Sequence, residues 1–229
     1  MATTRAASNF AGVRGLSKAV EIGSRVFLRY PVPSDRDEFL ALRRASRAFL
    51  EPWEPRPPRG FNSWGDHAFE RELGLRRTAS SERLMVCRMD ADAQSPPGAI
   101  VGKVSISGIF RGPFQSCHIG YWIGADFAGC GRMTQAVGLT LRHIFVTLEL
   151  HRVEANIQPH NQPSRGVAQR NGFRLEGFSP RYLQIAGRWA DHERWAITSE
   201  EWRAGGTSAD APKLAASRPR GRHRMSRHD

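Results

Sequence analysis

The chain has 229 residues, 40% of them hydrophobic, and a net charge of +12, which suits one domain of ordinary size with a sizeable core plus tails. It holds no run of about 18 apolar residues, so no membrane-spanning helix is expected. Its three cysteines form no C-x-x-C pair, which argues against a zinc site and points to a reducing, cytoplasmic setting.

Residues 1–24 are rich in Ala, Ser and Arg and lack an apolar h-region, so they read as a disordered basic leader, with an organelle transit segment as the alternative, and not as a secretory signal. The first predicted strand covers residues 25–30 and is closed by Pro31 and Pro33. Residues 34–37 supply an N-cap and an acidic first turn for a helix to about residue 48, with Phe39, Leu42, Ala45 and Phe49 on its apolar stripe. FLEPWEPRPPRG, residues 49–60, carries four prolines and is extended and rigid. Its Trp53, between Glu51 and Glu54, either packs on the domain or lines a site. A second helix is predicted over residues 64–78, then a hairpin of strands 83–89 and 99–109 joined by a polar turn.

Residues 117–145 carry the sharpest pattern. Ile119, Tyr121 and Ile123 alternate with His118, Gly120 and Trp122, as in a strand. Gly129 and Gly131 then bracket a tight turn, and from Arg132 the apolar spacing becomes helical. A glycine turn feeding a helix N-terminus leaves backbone N–H groups free beside the positive end of the helix dipole, which suits a phosphate. The same glycines also serve as a plain tight connection. The G-K-[ST] ending of a Walker loop is missing, and so are the third glycine and the acidic residue of a dinucleotide fingerprint.

Residues 151–158 alternate again, with Val153, Ala155 and Ile157 on one face. Asn161 caps a helix that reaches about residue 171, and Asn171-Gly172 ends it. A strand over residues 173–185, a turn at Ala186-Gly187 and a last strand over residues 189–198 close the domain, which is expected to span residues 25–203. The order predicts an α+β fold: a mixed, mostly antiparallel, seven-stranded sheet with helices on both faces. Residues 204–229 form a disordered basic tail; from residue 203 on there are seven Lys and Arg against two acids. The tail is either a solvated end or a contact for a polyanion such as ribosomal RNA.

Several phrases together resemble the GNAT superfamily of acetyl-coenzyme A-dependent N-acetyltransferases. Asp126-Phe127-Ala128-Gly129-Cys130-Gly131 matches its R/Q-x-x-G-x-G/A motif, and Asn161-Gln162-Pro163-Ser164 through Gly172-Phe173 matches its N-x-x-[AS] helix. FLEPWEP, IGYWIG, GRMTQAV, LHRVEANIQPHNQPS, NGFRLEG and RYLQIAGRWADH resemble the RimJ/RimL branch, the ribosomal-protein alanine N-acetyltransferases. The resemblance implies the GNAT fold, acetyl-CoA as acetyl donor with no metal, and the N-terminus of a ribosomal protein as acceptor. It implies cofactor binding by Ile123, Phe127, Gly129, Gly131, Arg132, Met133, Thr134 and Asn161, although Asn161 also has the alternative of only capping its own helix. The chain departs from the pattern in three places. Asp126 replaces the usual Arg or Gln, Gln135 stands where the branch has an acid, and Ala168 occupies the site of a tyrosine general acid.

The reaction needs a neutral amine. An α-amino group near pKa ~8 costs roughly 1 kcal/mol to deprotonate at neutral pH, against roughly 4–5 kcal/mol for a lysine near ~10.4. A carboxylate acting through water is then sufficient. Glu154 is the candidate base, with pairing to Arg152 as its alternative role; His118, His151 and His160 are weaker candidates. Ser164 is the candidate acid for the leaving thiolate. Trp53, Glu54, Tyr182 and Trp189, with Asp191, are candidates for acceptor binding, the acids attracting a basic N-terminal tail, and hairpin packing is the alternative for Tyr182 and Trp189. The rival functions are the same transfer to a small-molecule amine and a non-catalytic ribosome-associated assembly factor.

Overall fold

The computed structural model describes residues 13–55, 62–90 and 95–205. Part of the predicted leader, most of the basic tail and part of the proline-rich loop lie outside the described residues. One eight-stranded sheet organises the rest, in the order β1-β2-β3-β4-β5-β6-β8-β7. The strands are β1 Ala19–Ile22, β2 Val26–Arg29, β3 Ser81–Arg88, β4 Ile100–Phe110, β5 Ser116–Ile123, β6 Arg152–Ile157, β7 Arg174–Ile185 and β8 Arg188–Thr198. Every neighbouring pair is antiparallel except β5 and β6. Parallel neighbours need a crossover, and the helix α4, Arg132–Arg142, supplies it.

The sheet has eight strands, not the predicted seven, because β1 forms inside the stretch read as leader. Its sequence, AVEI, is short and places a carboxylate in the middle, so no alternation marks it. What holds it is tertiary. Glu21 is buried, and Arg142 Nη1 of α4 donates to its carboxylate at 2.6 Å. Burial raises the Glu21 pKa above the usual carboxylate range, and the Arg142 hydrogen bond opposes that rise.

Helices cover both faces, as expected. Helix α4 and helix α5, Gln162–Arg170, pack Ala136, Val137, Leu141 and Ala168 on Val26, Leu28, Val104, Ile119 and Val153. On the other face, α1 (Arg36–Ala45) and α3 (Asp66–Gly74) bury Phe39, Leu40 and Phe69 against Phe27, Met85 and Ile100. The four-residue helix α2, Arg47–Leu50, follows α1 after a break at Ser46, and α6, Ser199–Ala204, closes the domain. Cys87 and Cys117 are buried small core residues, and burial pushes both thiols up to about 12.

Asp35, predicted near the N-cap of α1, makes no side-chain cap. Its carboxylate instead takes both guanidinium nitrogens of buried Arg29, at 2.6 and 2.7 Å, and the Val32 N–H at 2.8 Å. Breaking one partner of a buried pair strands the other charge, at about 3–5 kcal/mol. Asp35→Ala is therefore expected to lower unfolding free energy by about that amount in urea titrations. A loss below about 1 kcal/mol would show that Arg29 finds another partner or water.

Candidate active site

Strands β5 and β6 pair only through Ser116↔Arg152, Cys117↔Val153 and His118↔Glu154. Beyond His118 they part, so the β6-facing backbone of residues 119–123 has no strand partner. The fork opens into a cleft of about 1920 Å³ lined by Gly120, Tyr121, Trp122 and Ile123 on one side and by α4 and α5 residues on the other.

At the fork's mouth, Gly129 and Gly131 both have φ of +80°, a left-handed conformation that favours glycine. Gly131 N-caps α4 with no side-chain cap, so the first-turn amides of the helix keep their donors. Arg25 Nη1 donates to the Cys130 carbonyl at 2.7 Å, and Arg132 Nη2 reaches Asp90 at 2.9 Å. Asp90 also meets Arg88, at 3.2 Å. Phe127, Gly129, Gly131, Arg132, Met133 and Thr134 all line the cleft, as does Ile123, so the predicted anion loop is assembled in one place. Amide donors, a dipole end and two arginines suit a pyrophosphate. Gln135, one of the three departures from the family pattern, accepts from the Arg25 and Val26 amides at 2.8 and 3.0 Å and ties β2 to α4.

Asn161 lines the cleft and caps α5, its Oδ1 accepting from the Ser164 amide at 3.1 Å. Ser164 lines the cleft too, but its hydroxyl donates to Tyr121 Oη at 2.9 Å, while Tyr121 Oη donates to the Ser164 carbonyl at 3.1 Å. Burial pushes the Tyr121 phenol up to about 12 against the opposing Ser164 bond, so it stays protonated at neutral pH. Tyr121 is the residue the sequence reading missed. In the sequence it counted only as part of the strand alternation, and the polar tip in an otherwise aliphatic row was the available signal. Ala168, where a tyrosine acid was noted as missing, is buried.

The remaining candidates divide. Trp53 lines the cleft, with its ring 5.2 Å from that of His160. Glu54 lines it as well, but both its oxygens accept from Arg43, at 2.9 and 2.8 Å. The Arg43 guanidinium in turn lies 4.7 Å from the Trp64 ring and 5.3 Å from the Trp122 ring. Glu54 is thus a clasp, and not the open acid expected for a basic peptide. Its carbonyl also accepts from the Ala186 amide at 3.0 Å, which docks the proline-rich loop on the tip of the β7–β8 hairpin. Tyr182 and Trp189 do not line the cleft; Tyr182 packs edge-on to His192, and Trp189 is exposed on the hairpin. Asp191 accepts from the Arg181 amide at 2.7 Å. Glu154 stands at the vertex of the fork, outside the cleft lining. Its carboxylate meets Arg152 Nε at 2.9 Å and His118 Nε2 at 3.5 Å.

A sheet forked between two parallel strands, with a glycine anion loop at the mouth of the fork, defines a transferase that holds a phosphate-bearing acyl carrier along a splayed strand. The acetyltransferase (GNAT) domain model matches residues 25–174, and the chain belongs to that family of acyltransferases. It is 33% identical over 162 residues to the ribosomal protein uS5-alanine N-acetyltransferase of Escherichia coli, covering 70% of this chain and 80% of that one. Among solved structures, RimJ of Mycobacterium smegmatis in complex with CoA-disulfide superposes with a TM-score of 0.69 at 34% identity, over 77% of this chain and 83% of that one. The ribosomal-protein-S5-alanine acetyltransferase of Vibrio fischeri gives a TM-score of 0.68 at 28% identity, over 80% of this chain and 99% of that one.

Proposed function

We propose that this chain transfers the acetyl group of acetyl-CoA to the N-terminal alanine of a ribosomal protein, directly and without a covalent enzyme intermediate. The observation that carries the reading is the fork after His118↔Glu154 with the Gly129–Gly131 loop at its mouth. Its match over most of the chain to two ribosomal-protein alanine N-acetyltransferases supports the choice of acceptor.

Acetyl-CoA supplies an activated acyl group and a thiolate leaving group. The α4 amides with Arg25 and Arg132 hold its pyrophosphate, and the unpaired amides of β5 offer donors to its arm and carbonyl. Asn161 and Ile123 border the same arm. Tyr121 keeps a proton that it delivers to the leaving thiolate, and Ser164 orients the phenol and relays a replacement proton from water through its hydroxyl. The amine proton passes through water to Glu154, which Arg152 and His118 hold at the vertex of the fork. Trp53 borders the acceptor entrance, and Tyr182 and Trp189 offer aromatic contacts further along the acceptor on the hairpin. The basic tail gives the enzyme an electrostatic hold on the ribosome.

A mass-spectrometric survey of N-termini with and without the gene tests the reading. Loss of N-terminal acetylation on one alanine-start ribosomal protein is expected. Unchanged ribosomal N-termini together with turnover of a small amine would transfer the same chemistry to that amine. No thermal stabilisation by acetyl-CoA would favour the non-catalytic assembly factor.

A further inference from the structure

The wall of the cleft that faces α1 and α3 carries a charge imbalance that the transfer chemistry does not use. Arg43, Arg71, Arg83 and Lys103 line it, against the carboxylates Glu54 and Glu72. Both carboxylates are committed: Glu54 to Arg43, and Glu72 to Lys103 Nζ at 2.6 Å and Arg83 Nε at 3.3 Å. Glu72 answers two cations at once, so among the described residues Arg43, Arg83 and Lys103 already outnumber the two acids, and the wall is positive without counting Arg71. Beside it, the buried indole N–H of Trp122 has no hydrogen-bond acceptor among the described residues. Burial, with the nearby Arg83 and Arg43 charges, holds the Lys103 amine below the usual lysine range even though Glu72 pulls it up.

Register sets the distance from this wall to the fork. Ser107 lies opposite His118, Ser105 opposite Gly120 and Lys103 opposite Trp122. The fork opens just beyond His118, so an amine reaching it lies beside Ser105 and Ser107, both of which line the cleft. Lys103 is two residues further along β4, roughly 7 Å at strand spacing. That is the reach of the side chain that follows the reacting residue.

We propose that this wall selects acceptors by charge: it favours an N-terminus whose second or third residue bears a carboxylate and disfavours an acceptor carrying a second cation. The proposal rests on the reading that the acceptor is an α-amine. It reverses the expectation of a basic peptide drawn by acids, since the acids are spent in ion pairs, and it sets a polyamine last among acceptors.

The test uses the full chain with peptides that differ only in beginning Ala-Glu, Ala-Ala or Ala-Lys, and with spermidine. At low salt, kcat/KM for Ala-Glu is expected to exceed that for Ala-Lys at least about tenfold, with spermidine slowest and the gap closing as salt is added. Arg71→Glu, on the exposed rim of the wall, is expected to narrow the gap at least about threefold. Rates equal within about a factor of two across the peptides, or faster turnover of Ala-Lys or spermidine, overturn charge selection and leave the acetyltransferase intact. Failure of every alanine peptide beside active spermidine overturns the α-amine reading as well.

Discussion

Gly131→Val is expected to weaken coenzyme A binding about 100-fold while the domain stays folded. A β-branched residue at φ of +80° is strongly strained, and a Cβ there would meet Arg25 Nη1 at 2.9 Å. Arg25 must swing off the Cys130 carbonyl and the strained backbone shifts, so the first-turn amides of α4 lose their aim at the pyrophosphate. Hydrogen bonds to a charged group contribute about 1.5–3 kcal/mol each, so losing one or two accounts for that factor. Isothermal titration with coenzyme A measures it, and circular dichroism confirms the fold. Affinity within about threefold of the parent would mean that the loop does not hold the phosphates. Gly129→Val makes a useful contrast. Its φ is the same but a Cβ meets nothing within 4 Å, so strain alone operates and a smaller loss is expected.

Tyr121→Phe is expected to cut kcat about 100-fold and leave coenzyme A affinity unchanged, because a positioned acid contributes about 10²- to 10⁴-fold. Ser164→Ala removes only the hydroxyl that donates to the phenol, so the smaller loss is expected there. The pH profile separates the roles. The amine must be neutral, so the rate should rise with pH through its pKa near ~8 and then level off. Tyr121 stays protonated until its own pKa of about 12, so it contributes no alkaline limb in the working range. A limb falling near ~10 would place an ordinary, exposed tyrosine in the acid role. A Phe variant with unchanged kcat would remove Tyr121 from the mechanism altogether.

The sequence by itself determined the frame of this protein. Alternation in β5 and β6, glycine at 129 and 131, and the helical stripe from Arg132 are local signals, and each is set by covalent geometry and side-chain period. They placed the anion loop and the order of seven of the eight strands. They left out β1, whose carboxylate is tolerable in a strand only because Arg142, 121 residues away in sequence, neutralises it there. Helix α3 is shorter than the pattern implied, Asp66–Gly74 against residues 64–78, since local pattern sets helix ends weakly.

The tertiary structure alone decided what the polar residues do. A carboxylate in a sequence has no sign of its partner. Glu54 became a clasp through Arg43, Glu154 moved to the vertex of the fork under Arg152 and His118, and Tyr182 and Trp189 fell on the hairpin outside the cleft. Tyr121 passed from a strand residue with no assigned role to candidate acid because α5 brought Ser164 to its hydroxyl. Charge and hydrogen-bond pairing act through space over a few ångströms, and the chain order that a sequence records carries no such distances until the sheet and its helices close.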